Sequence, residues 1–331
     1  MGLGSEAPAR LLVSLPALDE SATIAEVIAA IPRQIDGVGE VAVLVVDDGS
    51  VDGTAELAEQ AGAHVIRHDV TRGVGSAFQS ALVYARESGV DLFVTIDADG
   101  QFDPGEIPLV MAPVLAGRAD FATGSRFRDP SLEPEMPRMK RWGNRQVARI
   151  VSGLTGRHFD DVSCGMRCYN RESILHLNLL GKFTYTHEVL LALCFKGLRI
   201  VEVPIRVRGE RAYGTSRVAG SLLRYAINTL RILVGAYRDY NPLRFFGSLA
   251  AALAGPALLL EFFFFAHYLS TGSFSPHLWA GFAGAGLGSL AILMLFMGML
   301  GDMLNRHRVY LEEILYQQRR HRSQRPPVDR S

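Results

Sequence analysis

The chain has 331 residues, 48% of them hydrophobic, which excludes a single average domain and leaves length for a second module. Its formal net charge is zero, yet positions 1–125 hold 6 basic and 19 acidic residues, whereas positions 126–331 hold 28 basic and 15 acidic. An acidic half suits a metal site and a basic half suits phosphates or an anionic membrane surface, and the apolar segments downstream set nucleic acid aside as the partner.

Met1 to Arg10 has no basic flank followed by an apolar core, so no cleavable signal peptide is expected. Short β-rich apolar runs then alternate with helical stretches. Leu11–Leu15, Val41–Val46, His64–Ile66, Leu92–Ile96 and Phe121–Thr123 read as strands, and Thr23–Ala30, Thr54–Ala61, Gly75–Glu87 and Ile107–Ala116 as the helices between them. The alternation predicts an α/β fold, a mostly parallel sheet with helices on both faces. Ligands of such sheets bind beyond the carboxyl ends of the strands. Two acidic clusters fall at those positions, Asp47-Asp48-Gly49-Ser50 after the second strand and Asp97-Ala98-Asp99-Gly100 after the fourth. Asp-Asp-Gly-Ser alone reads as a turn. Two clusters at strand ends predict one crevice in which Asp97 and Asp99 hold a hard divalent cation, with water and a diphosphate completing its coordination.

Further along, Cys164, Cys168 and Cys194 form neither a C-x-x-C pair nor an even framework and read as core or near-surface thiols of a reducing cytoplasm. From Arg217, Arg224, Arg231 and Arg238 recur every seven residues, nearly two helical turns, so the four make one slowly drifting stripe. Such an amphipathic helix ahead of a membrane span lies at headgroup level, or else is a solvated face. Phe245–Leu269 is apolar apart from Glu261, and Leu278–Gly301 is a run of 24 residues without a charge; as a helix the latter is about 36 Å long, enough to cross a bilayer. The short turn between them carries no Lys or Arg, while Arg244 precedes and Arg306 and Arg308 follow, which predicts a hairpin with both ends cytoplasmic. Glu261 is costly near mid-bilayer; it reads either as a polar contact in an oligomer or as a protonated or interface-shifted carboxyl. The basic tail after Arg319 is expected to add membrane-surface attraction and no chemistry.

These motifs, in this order, resemble those of the family 2 glycosyltransferases, and within them the dolichyl-phosphate mannose synthase and polyprenyl-phosphate glycosyltransferase group. The resemblance extends from about Leu11 to Arg217. It implies a GT-A-like nucleotide-sugar fold. Pro16-Ala17-Leu18-Asp19-Glu20 and Asp47-Asp48-Gly49-Ser50-Val51-Asp52-Gly53-Thr54 match the nucleotide loops, implying donor binding by Pro16, Leu18, Glu20, Asp48 and Asp97. Asp97-Ala98-Asp99-Gly100-Gln101 matches the metal motif, implying Mg²⁺ or Mn²⁺ held by Asp97, Asp99 and Gln101. Gly124-Ser125-Arg126, Ser163-Cys164-Gly165-Met166-Arg167 and Gly214-Thr215-Ser216-Arg217 match later acceptor-side elements. Asp19 and Thr71 stand where Asn is usual, and Arg217 where Lys is common, which leaves the class intact and the donor's base and sugar open.

The activity so implied is transfer of a hexose from UDP or GDP to a polyprenyl phosphate, metal-dependent and inverting. Because a phosphate monoester is already largely dianionic near neutral pH, the acceptor needs orientation more than a strong base. Arg126, Arg141, Arg211 and Arg217 are the candidates to orient it. Asp161 either orients or deprotonates the acceptor or is a structural cap, Glu188 is a candidate contact for sugar hydroxyls, and His187 reads as packed rather than ligating. The expected plan is a cytoplasmic catalytic domain at 1–216, an interfacial helix at 217–243, a two-span hairpin at 244–304 and a basic cytoplasmic tail at 305–331 of a cell-membrane protein, with homo-oligomerisation possible. A polysaccharide or glycolipid synthase and a catalytically silent nucleotide-sugar-binding scaffold are the alternatives. The Arg-x-x-Arg-Trp match at Arg138–Trp142 precedes Asp161 instead of following it, and two spans are few for a polymer channel.

Overall fold

A computed structural model describes residues 8–179, 185–208 and 222–324, with backbone alone at 222–226 and 323–324. Seven strands form one sheet: β1 (Ala9–Ala17), β2 (Val38–Asp47), β3 (His64–Arg67), β4 (Leu92–Thr95), β5 (Phe121–Ser125), β6 (Arg167–Asn170) and β7 (Ile200–Pro204), in the order β3-β2-β1-β4-β6-β5-β7. β6 runs antiparallel to both β4 and β5, and the other pairings are parallel. The helices are α1 (Ile24–Ala30), α2 (Thr54–Gln60), α3 (Val74–Ser88), α4 (Ile107–Leu115), α5 (Arg138–Thr155), α6 (Arg171–His176), α7 (Thr186–Phe195), α8 (Leu222–Tyr240), α9 (Pro242–Thr271) and α10 (Leu278–Gln324).

Period-two alternation sorts the strand residues between two cores. Leu11, Val13 and Leu15 of β1, Val43 and Val45 of β2, and Leu92 and Val94 of β4 pack with α1 and α4. Leu12, Leu44, Val46 and Phe93 face the other way, toward Phe78 and Leu82 of α3 and Val189 and Leu193 of α7. Both faces of the central strands are therefore apolar, as buried parallel strands require.

β6 decides what reaches the strand-end edge. Because it is antiparallel, it begins where β4 and β5 end: Arg167 is in register with Thr95 on one side and Thr123 on the other. The residues just before it, Ser163 to Met166, are thus delivered beside the ends of β4 and β5.

The chain divides into two compact units, one reaching to Leu233 and including the stretch from Leu315 onward, the other Val234–Ile314. In the second unit, α9 and α10 each contain an 18-residue window of mean hydropathy 2.0 and 1.9, of which only 11% and 17% is buried. Both are long and apolar enough to cross a membrane. Leu258, Phe262, Phe282 and Ile292 are all exposed, an apolar surface that water does not favour. Small residues on α10 let α9 approach closely. A Cβ at Gly281 would stand 2.9 Å from the Phe264 ring, and one at Gly284 would stand 2.8 Å from the Glu261 carboxylate. Glu261 thus packs on a glycine of the same hairpin. At the other end, Arg308 lies 3.9 Å over the Tyr240 ring.

Candidate active site

Three loops leave the sheet at the ends of β1, β2 and β4 and are bonded to one another. Pro16 is still in strand register, opposite Val46. Asp19 takes a left-handed conformation, φ 47°. Its amide donates to Ser50 Oγ at 2.9 Å, and its Oδ1 accepts from the Val51 amide at 2.9 Å. The Glu20 amide donates to Thr54 Oγ1, and the Ser21 amide to Asp52 Oδ2. Burial pushes Asp52 upward, but hydrogen bonds from Thr54 and Ser21 prevail and hold its carboxyl below the ordinary range. Thr23 Oγ1 donates to Ala98 O at 2.7 Å and so ties the first loop to the fourth strand's end. Leu18 and Glu20 lie in the first of these knitted loops.

Asp48, expected to touch the donor, is turned inward. It is 3% exposed; Oδ1 lies 2.7 Å from His68 Nδ1 and accepts from the Arg72 amide, while Oδ2 accepts from the Gly73 amide at 2.7 Å. His68 is held in turn by Ser80 at 2.9 Å. Asp48 therefore anchors the Thr71–Gly73 loop beside β2. Gly49, φ 84°, permits this, because a Cβ there would meet the Thr71 amide nitrogen at 3.0 Å.

Asp97 and Asp99 follow β4. Asp99 is buried, and its Oδ1 accepts from the Gln101 amide at 3.0 Å. Gln101 is pinned to the strand beyond: Nε2 donates to Arg208 O, the Arg208 amide donates to Gln101 O, and Phe102 bridges to Val207. Asp97 rests against Gly165, where a Cβ would stand 2.5 Å from Oδ2 and 2.7 Å from Oδ1. The space a side chain would fill is thus given to a carboxylate. Two carboxylates and a carboxamide are hard oxygen donors, few enough to leave positions for water and phosphate, and they fit a small divalent cation of the Mg²⁺ or Mn²⁺ kind. Among the described residues no group of three or more His, Cys, Asp or Glu side chains is placed to hold a metal ion.

On the acceptor side, Arg126 at the end of β5 grips Asp161. Nε donates to Oδ2 at 2.6 Å and Nη2 to Oδ1 at 2.9 Å, Nη2 also reaching Ser163 Oγ at 2.7 Å. The Asp161 side chain has no exposure and that of Arg126 only 17%. Desolvation works to raise Asp161, but the Arg126 charge and its hydrogen bonds win, and the carboxyl is held below the usual range. Asp161 is accordingly an ionised support for Arg126, not an open base. Glu202 of β7 stands behind it and accepts from the Asp160 and Asp161 amides, at 2.8 Å for the latter. Burial pushes Glu202 upward.

Arg167 closes the Ser163–Arg167 motif, and its buried bracing role is visible only in the fold. It is fully buried, and its guanidinium donates to Cys164 O at 2.8 Å, Thr186 O at 2.7 Å and Val162 O at 3.1 Å. One cation thereby joins the loop that carries Asp161 and Gly165 to the first turn of α7. The signal was present as an arginine at the head of an otherwise apolar Cys-Tyr strand. Beside it His187 is buried with Nε2 unpartnered, and desolvation pushes it down to about 4, so it is a neutral packed histidine, in line with expectation. Tyr185 stacks on Phe78 at 4.1 Å, and burial raises its hydroxyl, with the charge of Asp97 adding to the effect. Glu188 is half-buried in the first turn of α7.

The remaining candidate arginines divide. Arg141, on α5, pairs through Nη2 with Glu133 of the segment before that helix. Arg211 and Arg217 lie outside the described residues, as does the Gly214–Arg217 element. On α5 the solvent side displays Trp142 and Met139, 61% and 63% exposed, next to exposed Arg138, Arg145 and Arg149. On α8, Ile227, Leu230 and Val234 are exposed alongside Arg231 and Arg238.

The glycosyl transferase family 2 model matches residues 13–177. Glycosyltransferase AglJ of Haloferax volcanii is 30% identical over 93% of this chain and 98% of its own length. The undecaprenyl-phosphate mannosyltransferase of Micrococcus luteus is 31% identical over 66% of this chain and 91% of its own. Glucosyl-3-phosphoglycerate synthase of Mycobacterium tuberculosis, crystallised with Mn²⁺, uridine diphosphate and phosphoglyceric acid, shares the fold with a TM-score of 0.55 at 23% identity, over 69% of this chain and 78% of that one. Relatives that match nearly end to end, and a family model that ends just past α6, agree with what the strand-end loops display: the chain is a glycosyltransferase of family 2.

Proposed function

We propose that the protein transfers a hexose from a nucleotide diphosphate sugar to a polyprenyl phosphate, in a single inverting displacement at the cytoplasmic face of a membrane. The observation that carries the reading is a guanidinium fork, Arg126, braced by a buried carboxylate on the strand-end edge that bears Asp97 and Asp99, in a chain that also exposes a bilayer-length apolar hairpin. The similarity to an undecaprenyl-phosphate mannosyltransferase supports the acceptor class.

The knitted loops after β1 and β2, with Leu18, Glu20 and the Thr71–Gly73 loop anchored by Asp48, bind the nucleotide. Asp97, Asp99 and Gln101 would hold a divalent cation, whose chemistry is to offset the charge growing on the departing diphosphate. Gly165 keeps the Asp97 carboxylate in place. Arg126 orients the acceptor phosphate, one oxygen of which attacks the anomeric carbon as the bond to the diphosphate breaks and its electron pair leaves with the diphosphate. Asp161 stays ionised and holds Arg126; no proton need be removed from an acceptor already anionic. The exposed Trp142 and Met139 of α5 and the apolar and basic residues of α8 suit a headgroup region, where an aromatic ring and arginines are both at home.

The test is a donor screen with a short polyprenyl phosphate, read by mass spectrometry of the lipid. A hexosyl phosphate lipid formed only with Mg²⁺ or Mn²⁺ and lost in chelator is expected, with Asp99→Asn abolishing it at little cost in melting temperature. Full transfer in excess chelator would overturn the metal assignment, and transfer to free sugars alone would overturn the acceptor.

A further inference from the structure

A helix end leaves its last carbonyls without partners inside the helix, and in α6, six residues long, that is most of them. The carbonyls of its last three residues, and that of Leu177 just after them, are met by cations from elsewhere in the chain. Arg86 of α3 donates to Ile174 O at 3.0 Å and also to Leu177 O. Lys196, just past α7, donates to His176 O at 2.6 Å. Arg319, near the end of α10, donates from Nη1 to Leu175 O at 2.9 Å and to Leu177 O at 3.2 Å. One turn earlier Tyr316, 8% exposed, stacks on His176 at 4.1 Å and 3°, and its hydroxyl donates to Glu172 Oε2 at 2.7 Å.

A tail held only by diffuse attraction to a charged surface would leave these side chains in solvent. Instead Arg319 shares an acceptor with Arg86, and desolvation together with repulsion from Arg319 pushes Arg86 down to about 9. Two guanidinia tolerate that proximity because the carbonyl end of a helix carries partial negative charge. The end so capped matters to the site. α6 leads through residue 179, whose carbonyl accepts from Gln79 of α3, toward α7. The first turn of α7 is the one that Arg167 ties to the Gly165 loop, with Tyr185 in the field of Asp97.

We propose that Tyr316 and Arg319 are positioning residues for glycosyl transfer: the end of α10 clamps the carbonyl end of α6, to which Lys196 ties α7, and so steadies the helix whose first turn carries Tyr185 to Glu188. The clamp rests on the transfer reading for its consequence and on contacts alone for its existence, so two readouts separate them. Full-length protein in lipid nanodiscs is compared with Tyr316→Ala, Arg319→Ala, the milder Tyr316→Phe and Arg319→Lys, and Arg322→Gln as a control for tail charge. Hydrogen–deuterium exchange is followed on peptides spanning 171–195, together with steady-state hexosyl transfer. The alanine variants are expected to exchange faster in that span and to lose about tenfold in kcat with donor KM nearly constant, as small misplacements of a site do. Arg319→Lys recovers part of both, and Arg322→Gln matches the parent. Unchanged exchange in 171–195 overturns the clamp. Faster exchange with unchanged kcat overturns the positioning role, and an equal loss in Arg322→Gln assigns the effect to charge. A parent protein that transfers no hexose to lipid phosphate counts against the transfer reading alone, since exchange still decides whether the clamp exists.

Discussion

Arg126 and Asp161 show how a charge pair can be structural and functional at once. Asp161 is ionised although wholly buried, and only the bidentate guanidinium makes that tolerable. Arg126→Ala therefore removes the proposed phosphate contact and also strands a buried carboxylate, costing on the order of 3 kcal/mol at neutral pH. The sign with pH follows. In the parent, the depressed Asp161 contributes stability above the unfolded value of 3.8 that is lost as pH falls through the folded value. In the variant, burial is opposed only by the amides of residues 126 and 163, so the group rises and its penalty is relieved once the carboxyl protonates. The stability gap between the two is expected to be widest near pH 7, to narrow as pH falls toward 3.8 and to close only below it, which thermal melts across that range would show; a gap that widens in acid would mean that Asp161 is not the stranded group. Arg126→Lys, with charge but no fork, should keep more stability than acceptor affinity.

At the level of elements, the sequence yielded most where periodicity was strong. The β-branched runs of β1, β2 and β4 and the apolar faces of α1 to α4 lie within a few residues of their predicted positions, because a strand buried on both faces has little freedom in composition. β6, Arg-Cys-Tyr-Asn, is polar at both ends and recognisable as a strand only through its partners, and β7, Ile-Val-Glu-Val-Pro, is interrupted by the buried Glu202. The site followed the same division. Asp97, Asp99 and Arg126 were legible as strand-end residues, whereas the inward turn of Asp48 depends on His68 and on two amides of a loop twenty-odd residues away. The role of Gly165 was also hidden, since it is defined by a carboxylate seventy residues earlier in the chain. It yields a sharp expectation. The atoms that a Gly165→Ala methyl would meet belong to the end of the Asp97 side chain, so the fold should survive while the carboxylate is displaced. Turnover is expected to fall by about a hundredfold, with a raised metal requirement and a melting temperature close to the parent's. A large loss of stability with normal metal dependence would place the strain elsewhere.

For the whole molecule, the proposed function assigns separate tasks to the hairpin and the basic surfaces. α9 and α10 are long and apolar enough to cross a membrane, and on that reading the arginines of α8 bear on docking at its surface. Each basic residue near an anionic surface contributes about 1 kcal/mol. Changing Arg224, Arg231 and Arg238 to Gln is therefore expected to leave the protein in the membrane fraction, to lower transfer to a long-chain polyprenyl phosphate, and to spare a short water-soluble acceptor. Equal loss with both acceptors would show that the stripe acts through folding.

The cap on α6 also imposes an order of events during synthesis. Tyr316 meets a residue 144 positions earlier, so a growing chain exposes the bare carbonyl end of α6 throughout the time that the two apolar helices are being made and inserted. The sheet can assemble once β7 has emerged, but α6 gains its last bonds only after α9 and α10 have been made. The catalytic unit is thus the last part of the chain to be completed although its strands are the first to be made, and a chain cut short after β7 would carry every strand and still lack the bonds from Tyr316 and Arg319.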